Sequence, residues 1–121
     1  MTRRPDGALE RDVLHVLWDA DRPLLPGEIN DQLDAGYAYT SIATILTRLQ
    51  AKGLVSRTPA GRAFVYHTTV DEPDLAARRI SELLDSASDR SQVLGRFIGG
   101  LSAREATAIR SMLDKHERRD R

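Results

Sequence analysis

A mainly α-helical chain in two parts is predicted. Residues 1–70 should form three helices and a two-stranded antiparallel wing, and residues 71–121 a purely helical remainder. Three observations carry this. Apolar residues recur at helical spacing in three stretches before Gly53. Two short runs at 54–57 and 63–67 are rich in β-branched and aromatic residues and flank a Pro- and Gly-containing turn. After Val70 the chain turns acidic at Asp71, Glu72 and Asp74 and shows only helical periodicity.

The first helix is expected from Asp6, a candidate N-cap, to about Ala20. Leu9, Val13, Val16 and Leu17 form its apolar stripe, with Leu14 and Trp18 at the edges. Asp21, Arg22 and Pro23 break it. Pro26 suits the first turn of a second helix, Glu28 lies near its positive end, and Ile29 and Leu33 face inward until about Ala35–Gly36. The third helix starts near Tyr39 or Thr40 and stops at Gly53. At about 100° per residue, Ile42, Ile45, Leu46 and Leu49 fall on one side. Thr58, Pro59, Ala60, Gly61 and Arg62 read as the turn of the hairpin. Three helices followed by such a hairpin is the winged variant of helix-turn-helix. Trp18 and Phe64 read as packing residues.

In the second part, Leu75, Ala76, Ile80, Leu83, Leu84 and Ala87 form one apolar stripe. Val93, Leu94, Phe97 and Ile98 form another, before Gly99 and Gly100 interrupt. Ser102 and Glu105 match a capping box ahead of a last helix that turns Ala106, Ile109, Met112 and Leu113 inward. These stripes are too sparse for a separate three-helix core. Leu75, Ile80, Leu83, Leu84, Val93, Leu94, Phe97, Ile98, Ile109 and Leu113 are therefore assigned to a homodimer interface. The alternative is that they fold back on the first part.

Composition narrows the function. With 18 basic and 18 acidic side chains the formal net charge is zero. A uniform basic coat is excluded, so any nucleic-acid footprint must be local. From Ala35 to Val70 there is no Asp or Glu, while Arg48, Lys52, Arg57 and Arg62 all lie there. The absence of cysteine excludes disulfides, thiol catalysis and thiolate metal sites. His15, His67 and His116 fall on different elements without metal-ligand spacing, so no metal or cofactor is expected. Ser41, Ser56 and Ser91 lack a nucleophile setting, and no acid–base constellation assembles, so the chain is not expected to be an enzyme. The N-terminus has no apolar run behind Arg3 and Arg4, and no window is long enough to span a membrane. A cytoplasmic location is expected.

The outer face of the third helix carries Thr40, Ser41, Thr44 and Thr47 with Arg48. Short hydroxylated side chains and one cation suit a helix entering the major groove. The hydroxyls would touch phosphates or thymine methyls, and Arg48 guanine O6/N7 or a phosphate. Arg57 and Arg62 on the wing are candidates for backbone or minor-groove contacts. The expected partner is double-stranded DNA. Two alternatives stay open: a winged helix used as a protein-interaction module, and a dimeric regulator that senses a small molecule.

Several local patterns together resemble the penicillinase and methicillin-resistance repressors (BlaI/MecI type). Leu9, Glu10, Val13, Leu14, Leu17 and Trp18 match the family's opening "LE..VL..LW". Residues 38–49, from Ala38 through Thr40, Thr44 and Leu46 to Arg48 and Leu49, resemble "AYTTV.T.L.RL", with Ser41 and Ile42 as close replacements. Lys52, Gly53, Leu54 and Val55 match "KGLV"; Gly61, Arg62, Ala63 and Tyr66 match "GRA..Y". The resemblance implies a homodimeric repressor on a pseudo-palindromic operator. In its antibiotic-responsive members, a membrane sensor-peptidase signal leads to cleavage before a Phe in the C-terminal domain. The corresponding bond here is Arg96–Phe97, where well-known members carry Asn in place of Arg96. The absence of cysteine sets the chain apart from the copper-responsive branch.

Overall fold

The structure is a computed structural model that describes residues 6–33 and 37–120. The expectations for Arg3 and Arg4 and for a helix end at Ala35–Gly36 lie outside the described residues. The order is α1 (Asp6–Ala20), α2 (Pro26–Leu33), α3 (Tyr39–Ala51), β1 (Val55–Ala60), β2 (Ala63–Thr68), α4 (Glu72–Ser86), α5 (Arg90–Gly99) and α6 (Ala103–Arg119). The chain divides into two compact units, Met1–Ala76 and Ala77–Arg121.

In the first unit α1, α2 and α3 pack pairwise, and the hairpin leans on α1 and α3. The core is made by Leu9, Val13, Leu14 and Leu17 of α1, Ile29 of α2, and Ile42, Ile45, Leu46 and Leu49 of α3, with Leu24, Leu54, Val55 and Leu75. Two assignments shift within α1. Leu14, expected at the edge, is fully buried, and Val16, expected in the stripe, is only half-buried. The buried face runs between the 9–13 and 14–17 rows because α2 and α3 both press on it. Leu75 is also corrected: it is buried in this core and not presented to a second chain.

α1 begins at Asp6 itself rather than after it. α2 opens on Pro26, and the Glu28 carboxylate reaches back to accept from Leu25 N–H at 2.9 Å while pairing with Arg22 at 3.1 Å. That backbone hydrogen bond, then Arg22, holds the Glu28 carboxyl below its ordinary range. α3 ends in a Schellman turn. Gly53 N–H donates to Gln50 O and Leu54 N–H to Leu49 O, both at 3.0 Å, with Gly53 at φ +74°. Leu49 and Leu54 are both buried, which supplies the apolar contact that accompanies this motif. Lys52 Nζ meets Glu10 Oε2 at 2.8 Å, so this cation of the acid-free stretch ties α3 to α1.

The hairpin is longer than its sequence suggests. Thr58, Pro59 and Ala60 are strand, and the turn is only Gly61–Arg62, between the paired Ala60 and Ala63. Positive φ is confined to Gly61, at +66°, the pattern of a II′ turn. Counting back from this loop, Pro59 and Phe64 form a non-hydrogen-bonded pair, so the missing Pro59 N–H costs no ladder bond. By the same alternation Tyr66 turns its backbone away from β1. Its N–H donates to Leu24 O at 2.8 Å, and its C=O accepts from Leu24 N–H at 2.9 Å. Trp18 Nε1 donates to Val70 O at 2.9 Å and fixes the exit of the wing.

The second unit is different in kind. Asp89 caps α5 by accepting from Gln92 N–H, and Ser102 and Glu105 complete a reciprocal capping box on α6. The Ser102 backbone and side chain hold the Glu105 carboxyl below its ordinary range. No described residue between 77 and 120 is buried. Ile80, Leu83, Val93, Leu94, Phe97, Ile98, Met112 and Leu113 are all exposed, while Leu84 and Ile109 are half-buried. No helix among the described residues is long and apolar enough to cross a membrane.

Because Leu46 is fully buried where α3 meets the core, Leu46→Ala should lower unfolding free energy by about 2–5 kcal/mol in urea titration. Thr47→Ala, one residue on but exposed, should change it by roughly 0.5 kcal/mol or less. Equal losses would contradict this orientation of α3.

Candidate nucleic-acid interface

The helical period that buries Ile42, Ile45, Leu46 and Leu49 turns Thr40, Thr44, Thr47 and Arg48 outward. These four are exposed, and Ser41 is half-buried at the edge of the face. The hydroxyls are not idle. Thr44 Oγ1 donates to Thr40 O at 2.8 Å and Thr47 Oγ1 to Ala43 O at 2.9 Å. A hydroxyl has one hydrogen, and here it is spent on the helix backbone. What remains is a methyl group and acceptor lone pairs. In this rotamer neither threonine can donate to a phosphate, which only accepts. Each can take a hydrogen bond from a base amino group or lie against a thymine methyl. Arg48 lies exposed in the last turn of α3, where a cation also suits the helix dipole.

The start of α3 departs from expectation. Its N-cap is Ala38, not Tyr39 or Thr40, and no side chain caps it. The first N–H groups of a helix have no intrahelical acceptor, so an uncapped N-terminus presents donors to an anion such as a phosphate. Asn30 of α2 positions this end, since its Nδ2 donates to Tyr37 O at 2.7 Å. No spacing rule points to an Ala cap, so this feature was not legible in the sequence.

On the wing, Arg62 is exposed in the two-residue loop. Arg57 is exposed on β1, with its guanidinium carbon 4.1 Å from the centre of the Phe64 ring. Phe64 is therefore not the packing residue it was expected to be; it is 37% exposed and supports a cation. The ring sits diagonally across from Arg57, on the face that Pro59 and Tyr66 share. Thr40, Thr44, Thr47 and Arg48 thus share one helix face, and Arg57 and Arg62 sit on the hairpin that packs on the same helix. Among the described residues no group of His, Asp and Glu could hold a metal ion. His15 stacks edge-on to Trp18 at 5.3 Å on α1, and His116 pairs with Asp120 at 3.4 Å on α6.

Comparison with known proteins agrees with this architecture. The chain matches the Penicillinase repressor family over residues 7–115. It is 33% identical over 116 residues to the transcriptional regulator BlaI of Mycobacterium tuberculosis, in two strains, covering 92% of this chain and 84% of the relative. Among solved structures, the ferric uptake regulator Fur of Helicobacter pylori shares the fold at 17% identity, with a TM-score of 0.50 over 69% of this chain and 73% of that one. The monomeric form of Bacillus licheniformis BlaI, solved in complex with the blaP half-operator, is 28% identical, with a TM-score of 0.46 over 61% of this chain and 88% of that one. A winged-helix unit with a hydroxylated third helix, followed by a helical unit, and matched from residue 7 to residue 115, belongs to the penicillinase repressor family of transcriptional repressors, which are not enzymes.

Proposed function

We propose that the chain represses transcription as a homodimer seated on a pseudo-palindromic operator in the cytoplasm. The observation that carries this reading is the outer face of α3. Its small side chains let the helix approach base edges, Arg48 supplies a donor pair for guanine, and the uncapped N-terminus meets a phosphate. Arg57 and Arg62 hold the sugar–phosphate backbone from the wing. One such face makes too few contacts to be selective, so two copies read two half-sites. Two-fold symmetry spaces them about one helical turn apart, or a multiple of it.

The second copy is supplied through residues 77–120. This unit has helix caps but no buried residue, so its apolar faces are stabilised only when covered. Ile80, Leu83, Leu84, Val93, Leu94, Phe97, Ile98, Ile109 and Leu113 form the proposed interface; Leu75 does not take part. A cut at Arg96–Phe97 would separate Phe97 and Ile98 from Val93 and Leu94 and so divide the covered face. The bond lies inside α5, so a sensor-peptidase system acting there would need the helix to open first.

A second reading, control by a small molecule, is favoured by one feature of the first unit. An open cleft of about 770 Å³ lies at the base of the wing, lined in part by Leu17, Trp18, Val65, His67 and Asp71. His67 Nδ1 is buried there without a partner among the described residues.

Selection from a random duplex pool should recover a two-fold related sequence. Against it, Arg48→Ala should cost about 1–3 kcal/mol and relax preference at one base pair. Arg62→Ala should weaken operator and random duplex alike and lower the salt slope by about 1. Recovery of no sequence would favour a protein-interaction role for the same surface. Phe97→Asp should sediment as a monomer at concentrations where the unsubstituted chain is dimeric; a persistent dimer would place the interface elsewhere. Trp18 is the single tryptophan of the chain, so its fluorescence reports the cleft directly. A saturable change on adding a small molecule that also releases DNA would establish the second reading, and a ligand screen without such a change would leave repression to DNA and dimer alone.

A further inference from the structure

We infer that Phe64 is a positioning residue for the wing's grip on DNA: its ring holds the Arg57 guanidinium ready for a backbone phosphate. This rests on the DNA-binding reading above. A solvent-exposed arginine samples many rotamers, and gripping a phosphate means giving that freedom up. The Arg57 guanidinium carbon lies 4.1 Å from the ring centre, a contact that favours this rotamer over the others. The base of its side chain is equally constrained. Arg57 lies opposite Tyr66 in the ladder, and both backbone groups of Tyr66 are tied to Leu24. Phe64 lies opposite Pro59, whose fixed ring leaves that strand position little freedom.

The manner of restraint matters as much as its extent. An acid in place of the ring would fix Arg57 but neutralise it and occupy its donors. An aromatic face attracts the cation without accepting its N–H bonds in the manner of a carboxylate. Among the described residues Arg57 has no hydrogen-bond acceptor or acidic partner, and no Asp or Glu occurs between Ala35 and Val70. The guanidinium thus keeps its charge and its paired donors, the geometry that a phosphate takes in bidentate fashion.

The test is a double-mutant cycle on the full chain. Dissociation constants are measured for a selected operator and a random duplex with Phe64→Leu, Phe64→Trp, Arg57→Ala and the Phe64→Leu/Arg57→Ala pair. Phe64→Leu should weaken both duplexes by about two- to fivefold per subunit, the size of an exposed cation–π contact. Phe64→Trp should retain affinity. Adding Phe64→Leu to Arg57→Ala should cost nothing further. Full additivity of the two substitutions, or unchanged binding by Phe64→Leu, overturns the positioning role. So does a lowered melting temperature of Phe64→Leu with no coupling to Arg57 in binding, since that marks a purely structural ring. An unsubstituted chain that binds no duplex at any salt concentration overturns both this inference and the DNA-binding reading.

Discussion

The burial of Ile42, Ile45, Leu46 and Leu49 against α1 and α2 is the interaction on which the rest depends. Each such side chain contributes about 1.5–3 kcal/mol when removed from water. Four on one helix leave α3 a single stable rotation about its axis. That rotation, more than any property of the hydroxyls, decides which residues face outward. The Schellman turn at Gly53 and the Lys52–Glu10 pair then fix where the helix stops and how it meets α1. The chain enters β1 directly from that turn, so the wing inherits its position from the end of α3.

The wing shows how an edge can be used on both sides. Strand alternation sends every second backbone pair away from β1, and at Tyr66 those groups meet Leu24. A one-residue bridge of this kind joins the α1–α2 connection to the sheet and carries Leu24 into the core. The same alternation places Pro59 where its missing donor is harmless, and sets Arg57, Pro59, Phe64 and Tyr66 on one face. The exposed part of that face is basic and aromatic, and its inner end is core. Thr44 and Thr47 of α3 likewise turn their hydroxyl hydrogens to backbone carbonyls one turn back, while the side chains stay on the exposed face.

Residues 77–120 follow another logic. Their helices are specified by local signals, Asp89 for α5 and the Ser102–Glu105 box for α6, and not by a core. Capped helices with exposed Leu, Ile and Phe keep their shape but not their faces dry. Their exposed apolar stripes are the surface on which the proposed pairing of two copies rests.

Much of this was legible in the residues alone. The helical periods, the capping box, the wing and the acid-free stretch are all short-range features, and the order of elements follows from them. The outward face of α3 could be read for the same reason: a period near 3.6 makes burial on one side imply exposure on the other. What needed the tertiary structure was every feature made by residues far apart in the chain. Leu24 sits in a breaker segment with no periodicity, and only its pairing with Tyr66 makes it core. Leu75 continues the stripe of α4 in sequence, yet the first turn of that helix lies on the first unit, which claims it. Phe64 looks like a core aromatic until the register sets it beside Arg57. Sequence patterns tell which side of an element is apolar, but which partner covers that side depends on three-dimensional proximity, and proximity is not periodic.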